Sequence, residues 1–85
     1  MDDLERKFNK YISKVKKLEH VSDNNKLYLY ANYKQSTEGD INIVKPSIFS
    51  IVENEKWKAW NEIKGTSKEN AMKNYIKKVK DLYKE

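Results

Sequence analysis

Apolar side chains recur at the spacing of an α-helix along both ends of this chain, and no turn signal interrupts either run. Leu4, Phe8, Tyr11, Ile12, Val15 and Leu18 fall on one stripe, with Lys7, Lys10, Lys14, Lys16 and Lys17 on its flanks and back. That pattern predicts a helix over about residues 2–18, its acids near the N-terminus and its lysines near the C-terminus as the helix dipole favours. At the other end Ala71, Met72, Tyr75, Ile76, Val79, Leu82 and Tyr83 share one broad face, predicting a helix over about residues 67–83.

Two further helices fit between them. Ser22 or Asp23 can cap a helix over about residues 23–36. Trp57, Trp60 and Ile63 give the third, over about residues 53–64, with the tryptophans expected to pack in the core. Gly65 suits the position just past its end, and Thr66-Ser67-Lys68-Glu69 reads as a capping box opening the last helix. From Thr37 to Val52 the pattern breaks: Glu38-Gly39-Asp40, Asn42 and Lys45-Pro46-Ser47 are turn signals. Ile41, Ile43 and Val44 are expected to anchor this long connection onto the helices; a short strand at 41–44 is rejected because no partner strand is visible. Residues 1–85 therefore read as one all-α domain, a four-helix bundle with a long loop between helices 2 and 3.

Composition narrows the function. Cysteine is absent and there is one histidine, His20, in a connecting segment, so neither a thiol nucleophile nor a metal site is expected. No segment approaches the ~20 apolar residues that cross a bilayer, and the acidic start Met1-Asp2-Asp3-Leu4-Glu5 lacks a leader's apolar run; a cytoplasmic protein without stable membrane insertion is expected. The net charge of +5 favours anionic partners without naming one. Asp40 has no histidine, serine or second carboxylate at a telling spacing, so a turn role is preferred to acid-base chemistry.

The segment Tyr30-Ala31-Asn32-Tyr33-Lys34 is more specific. Leu27, Tyr30, Ala31, Tyr33 and Lys34 are expected to gather on one side of the second helix. A phenol offers a flat apolar ring and a hydroxyl, and a lysine a compact positive charge, which together suit a phosphorylated nucleotide.

Several motifs then follow in order: Tyr-x-x-Tyr-Lys-Gln-Ser-Thr-x-Gly-Asp-x-Asn over residues 30–42, Lys45-Pro46, Lys56-Trp57-x-Ala-Trp-Asn to residue 61, and Lys64-Gly-Thr-Ser-Lys-Glu-x-Ala-Met-x-x-Tyr-Ile to residue 76. Together they closely resemble the acyl-CoA-binding proteins, over nearly the whole chain and least in helix 1. The resemblance implies the four-helix fold and a non-enzymatic role: binding medium- and long-chain fatty acyl-CoA esters, then buffering and delivering them. It implies a ligand site of Lys16, Tyr30, Ala31, Asn32, Tyr33, Lys34, Lys56 and Tyr75, with the adenine and the ribose 3′-phosphate held by Tyr30, Tyr33 and Lys34. Lys56 would approach the phosphates and Tyr75 close on the same nucleotide. No cofactor beyond the ligand is implied, and a monomer is expected.

Physical reasoning adds the division of labour. Lys34, Lys56 and Lys16 can meet the roughly four negative charges of coenzyme A as point charges. Stacking on tyrosine is worth about 1–3 kcal/mol per base. Each buried CH₂ adds about 0.8 kcal/mol, which favours long acyl chains. Groove walls are expected from Leu27, Leu29, Ile41 and the face of helix 1. The chain departs from the family pattern at Lys26, where an apolar residue is common, at Ser47 after the Lys-Pro pair, and at Val52-Glu53-Asn54-Glu55.

Two rivals remain at this stage. A small basic helical module that binds nucleic acid would also interleave lysine with tyrosine, but its charge would not be spread over every helix among acids, and Arg6 is the only arginine. A thioester-cleaving enzyme would need an activated nucleophile, and no nucleophile with a base beside it is visible.

Overall fold

The computed structural model describes residues 2–84. Four helices form: α1 (Asp3–Val15), α2 (Asp23–Glu38), α3 (Ile51–Glu62) and α4 (Lys68–Tyr83). No strand forms among the described residues, in line with the all-α expectation.

Local chemistry sets most of the boundaries. Asp2 caps α1 by accepting from the Glu5 N–H at 2.8 Å, and Ser22 caps α2 by accepting from Asn25. Gly39 ends α2 at φ 85°, a backbone region that an L side chain rarely enters. At α4 the cap is Ser67, which accepts from the Asn70 N–H at 3.0 Å. The expected box starting at Thr66 is thus displaced by one residue, and Asn70 replaces Glu69 at the third helical position. Helix α1 stops at Val15, short of the expected residue 18, and α3 begins two residues before the expected start.

The helices pack in the order α1 against α4, α4 against α2, and α2 against α3. Both end helices therefore keep a side open, and the molecule is flat, 37 × 28 × 15 Å. Phe8, Tyr11, Leu29, Tyr75, Ile76 and Val79 form the apolar core joining α1, α2 and α4. Tyr83 fastens the end of α4 to α1 by donating its hydroxyl to the Lys14 carbonyl at 2.6 Å.

The junction of α2 with α3 is polar instead. Gln35, fully buried, donates from its amide nitrogen to Asp40 at 2.8 Å and to the Thr66 carbonyl at 2.7 Å. Trp60 donates its indole N–H to the Gly39 carbonyl at 2.9 Å and to the Gln35 side-chain oxygen at 3.2 Å. Asp40 also accepts from the Gly65 N–H at 2.8 Å. Every buried member of this network is satisfied, so it fixes where the chain leaves α2 and enters α4 without orphaning a polar group. Trp60 is the core residue expected, and Asp40 is a turn residue with a structural task.

The long loop corrects an expectation. Ile41 is half-buried, but Ile43 is 51% and Val44 90% exposed, so these two do not anchor it. Hydrogen bonds hold it instead. Trp57 donates its indole N–H to the Ile43 carbonyl at 3.0 Å, and the Asn54 amide donates to the Ser47 carbonyl and to the Ser50 carbonyl. The backbone of Ile43 is tied down while its side chain stays out.

Candidate functional site

Helix α2 presents its tyrosines where the open side of the fold needs them. At about 100° per residue, Tyr30, Tyr33, Leu29 and Lys26 fall on one flank of the helix. They line a hollow of about 360 Å³, closed by Val15, Leu18 and Val21 from the end of α1 and its following turn, and by Tyr75 from α4. Phe8 braces two of its walls, stacking on Tyr33 at 6.2 Å between ring centroids and meeting Tyr75 edge-on at 5.2 Å.

A second hollow of about 350 Å³ lies between α2 and α3, lined by Leu27, Ile51 and Val52 with Asp23, Lys26, Glu55 and Lys56 around them. Lys26 borders both hollows. The two are bridged again by Lys56, whose ammonium sits 5.4 Å from the centre of the Tyr30 ring, within cation–π reach. The first hollow sets the phenols of Tyr30, Tyr33 and Tyr75 among aliphatic side chains, and the second has an aliphatic floor with a charged rim and no aromatic, each at the small end of the range of ligand sites.

The lysines are in different states. Lys34 lies one turn beyond Tyr30, its ammonium 2.6 Å from the Glu38 carboxylate and 5.6 Å from the centre of the Trp60 ring. The hydrogen bond to Glu38 holds the Lys34 pKa above the usual lysine value and, with Asn42, holds Glu38 below the carboxylate range. Lys56 is weakly paired with Glu53 at 3.9 Å. Lys16 is exposed at the end of α1, between Val15 and Leu18, but its own side chain does not line the tyrosine hollow. Tyr75 is 5% exposed, and burial pushes its phenol pKa up, so the ring enters the hollow as a neutral donor.

Of the eight residues singled out in the sequence, Tyr30, Tyr33 and Tyr75 share one hollow, and Lys56 stands over Tyr30. Lys34 and Lys16 stand outside its lining. Ala31 and Asn32 are interior, at 2% and 1% exposure. The expectation that Ala31 shares a face with the tyrosines is corrected: at 100° per residue it lies about 160° from Tyr33, and it lines a separate hollow with Leu27 toward α3. Asn32 is held by its amide donating to the Tyr28 carbonyl at 2.9 Å and by accepting from Asn74 at 3.3 Å. It locks α2 to α4 and so sets the angle of the tyrosines on either side of it. Phe8 escaped the sequence reading as a site residue because its only signal was membership of an apolar stripe.

The family model described as acyl CoA binding protein matches residues 5–79. The chain belongs to the acyl-CoA-binding protein family. It is 48% identical over 83 residues to acyl-CoA-binding domain-containing protein 1 of Oryza sativa subsp. japonica, covering 96% of this chain and 91% of that one. It is 47% identical to the acyl-CoA-binding protein of Fritillaria agrestis, over 96% of this chain and 95% of that protein. The fold is similar to the crystal structure of Oryza sativa acyl-CoA-binding protein 2, with a TM-score of 0.92 at 41% identity, covering 95% of this chain and 91% of that one. It is also similar to that of the family member from Moniliophthora perniciosa, with a TM-score of 0.89 at 34% identity over 99% of this chain and 82% of the other. The all-α four-helix architecture expected of the family is the one observed, and nothing in these likenesses supports the nucleic-acid rival.

Proposed function

We propose that this chain binds medium- and long-chain fatty acyl-CoA esters without chemical change, as a monomeric cytoplasmic carrier and buffer of the ester pool. The observation that carries this reading is the adjacency of a phenol-lined and an aliphatic hollow that share Lys26 and are bridged by Lys56 over Tyr30. The adenine stacks among Tyr30, Tyr33 and Tyr75, where the Tyr75 hydroxyl can donate to an acceptor on the nucleotide. Lys34, Lys56 and Lys16 supply charge to the phosphates from the rim. The acyl chain leaves the nucleotide past Lys26 and lies along Leu27, Ile51 and Val52. Ala31 and Asn32 support this arrangement from behind α2 and take no part in contact.

Binding without catalysis fits the same residues. Asp40, the carboxylate singled out in the sequence, accepts from Gly65 and Gln35 on one oxygen, and these bonds hold its pKa below the usual carboxylate value, which makes it a poor base. No helix among the described residues is long and apolar enough to cross a membrane.

Calorimetric titration with CoA, octanoyl-CoA and palmitoyl-CoA at low and high salt tests the proposal. Affinity should rise in that order, by up to about 6 kcal/mol between the two esters if every added methylene is sheltered. Salt should weaken all three by a similar factor, because the shared head carries the charge. Palmitate alone binding as tightly as palmitoyl-CoA, or the absence of any chain-length trend, would overturn it, as would release of free CoA by the pure protein.

A further inference from the structure

From Ile43 to Val52 the chain reads Ile-Val-Lys-Pro-Ser-Ile-Phe-Ser-Ile-Val, with Lys45 the sole charged residue. Its large apolar side chains point outward: Val44 is 90% exposed, Phe49 88%, Ile48 76%, Ile51 73% and Val52 65%. Among the other described residues the exposed large apolar ones are Tyr28 and Tyr33, at 39% and 40%. Single exposed apolar residues need no explanation, but a run of protruding ones in a soluble domain marks a contact surface. The run is continuous in space as well as in sequence. Ile48 and Ile51 line one shallow hollow with Lys45, Lys58 and Glu55, and Ile51 and Val52 line the aliphatic hollow with Leu27, its rim carrying Lys26 and Lys56 against Asp23 and Glu55.

We infer that this loop and the first turn of α3 form a reversible docking surface for a bilayer carrying anionic phospholipid, which seats the mouth of the aliphatic hollow against the membrane. Charge decides between this occupant and a second copy of the chain. Two copies meeting through the centre of the run would bring Lys45, its sole charge, toward its own equivalent, an unfavourable isologous contact. An anionic bilayer satisfies both halves at once, the apolar tips entering the headgroup boundary and the lysine ammoniums staying at phosphate level. On α3, Glu53 and Glu55 offset Lys56 and Lys58, each pair at 3.9 Å, which leaves Lys45 as the charge that the run itself contributes. Docking belongs to the ligand-free protein and needs no acyl-CoA.

The test is co-flotation of the ligand-free protein with vesicles of phosphatidylcholine alone and of phosphatidylcholine with about one-third phosphatidylglycerol. Trp57 serves as an internal probe, because it bonds to the Ile43 carbonyl while Trp60 is 1% exposed and insulated. The protein should float with the anionic vesicles with a blue shift of tryptophan emission, and bind pure phosphatidylcholine several-fold less. Val44→Ser, Ile48→Ser and Phe49→Ser combined should weaken vesicle binding by about tenfold or more, since three protruding side chains lose their apolar surface. Lys45→Gln should weaken binding to the anionic vesicles alone. Unchanged helicity and thermal unfolding of the variants show that any loss is not unfolding. Failure of the parent to float, equal flotation of the triple variant, or a concentration-dependent dimer abolished by the same three substitutions would overturn the inference. A protein that floats but ignores acyl-CoA would defeat the ligand reading alone.

Discussion

The Lys34 ammonium lies 2.6 Å from the Glu38 carboxylate, one helical turn away, so a lysine proposed to meet a phosphate is already engaged in the free protein. A phosphate must displace Glu38 or share the ammonium with it, and either lowers the net gain on binding. Glu38→Gln should therefore tighten CoA binding, by about two- to fivefold for an exposed i,i+4 pair. Lys34→Ala should weaken it on the order of tenfold or more by leaving a phosphate unpaired. Calorimetry on the two single variants and the double variant closes the cycle: with Lys34 gone, removing the Glu38 charge should yield much less.

Asp40 should govern the acid limb of stability. Its carboxylate is held below the usual range, first by the Gly65 N–H and then by the Gln35 amide. A carboxyl with a lowered folded-state pKa contributes its stability fully above the unfolded value of about 4, and loses it as pH falls through the lower folded value. Thermal unfolding followed from pH 6 downward should show melting temperature falling below about pH 4. Asp40→Asn keeps an acceptor for Gly65 but cannot titrate, so the acid limb should flatten relative to the parent. An unchanged slope would mean that other carboxylates set it.

Much of this architecture was legible because it rests on short-range chemistry. The stripes of α1 and α4, the caps at Ser22 and the turn at Gly39 all follow from side chains within a few residues of one another. The tyrosines and Lys56 came from motif order. What the sequence hid depends on contacts between distant residues. Gln35 looks like an ordinary polar helix residue until Trp60, Asp40 and Thr66 converge on it from 5 to 31 positions away. Ala31 appeared to share the tyrosine face because a run of i, i+3, i+4 and i+6 steps drifts around the helix, and only the packing of α3 showed which flank it serves. Ile43 and Val44 misled for a related reason: apolar residues in a loop suggest burial, but backbone hydrogen bonds to Trp57 and Asn54 hold this loop without them.

Phe8 should matter to ligand binding although it need not touch ligand. Its ring contacts both Tyr33 and Tyr75, and is itself 3% exposed. Phe8→Leu keeps much of the volume and should cost about 1–2 kcal/mol of folding stability. It also removes two aromatic pairs worth about 0.5–1.5 kcal/mol each, which hold the tyrosines in place. CoA affinity of the folded protein should therefore fall by about three- to tenfold, while the affinity ratio of palmitoyl-CoA to octanoyl-CoA stays constant. A change in that ratio would show that Phe8 borders the acyl chain.

Lys26 should set the chain-length preference. It lines both the phenol-lined and the aliphatic hollow, so on the proposed path a long acyl chain passes its stem. The methylenes of a lysine can cover an apolar chain while the charge reaches water, but only by restricting where the head can lie. Lys26→Met replaces that constraint with a flexible apolar side chain of similar length. Palmitoyl-CoA should then bind more tightly by about three- to tenfold, each newly sheltered CH₂ contributing about 0.8 kcal/mol. Unesterified CoA, which has no acyl chain to pass the residue, should change little and through lost charge alone. If CoA weakens as much as palmitoyl-CoA changes, Lys26 serves the phosphates instead, and the acyl chain takes another exit from the tyrosine hollow.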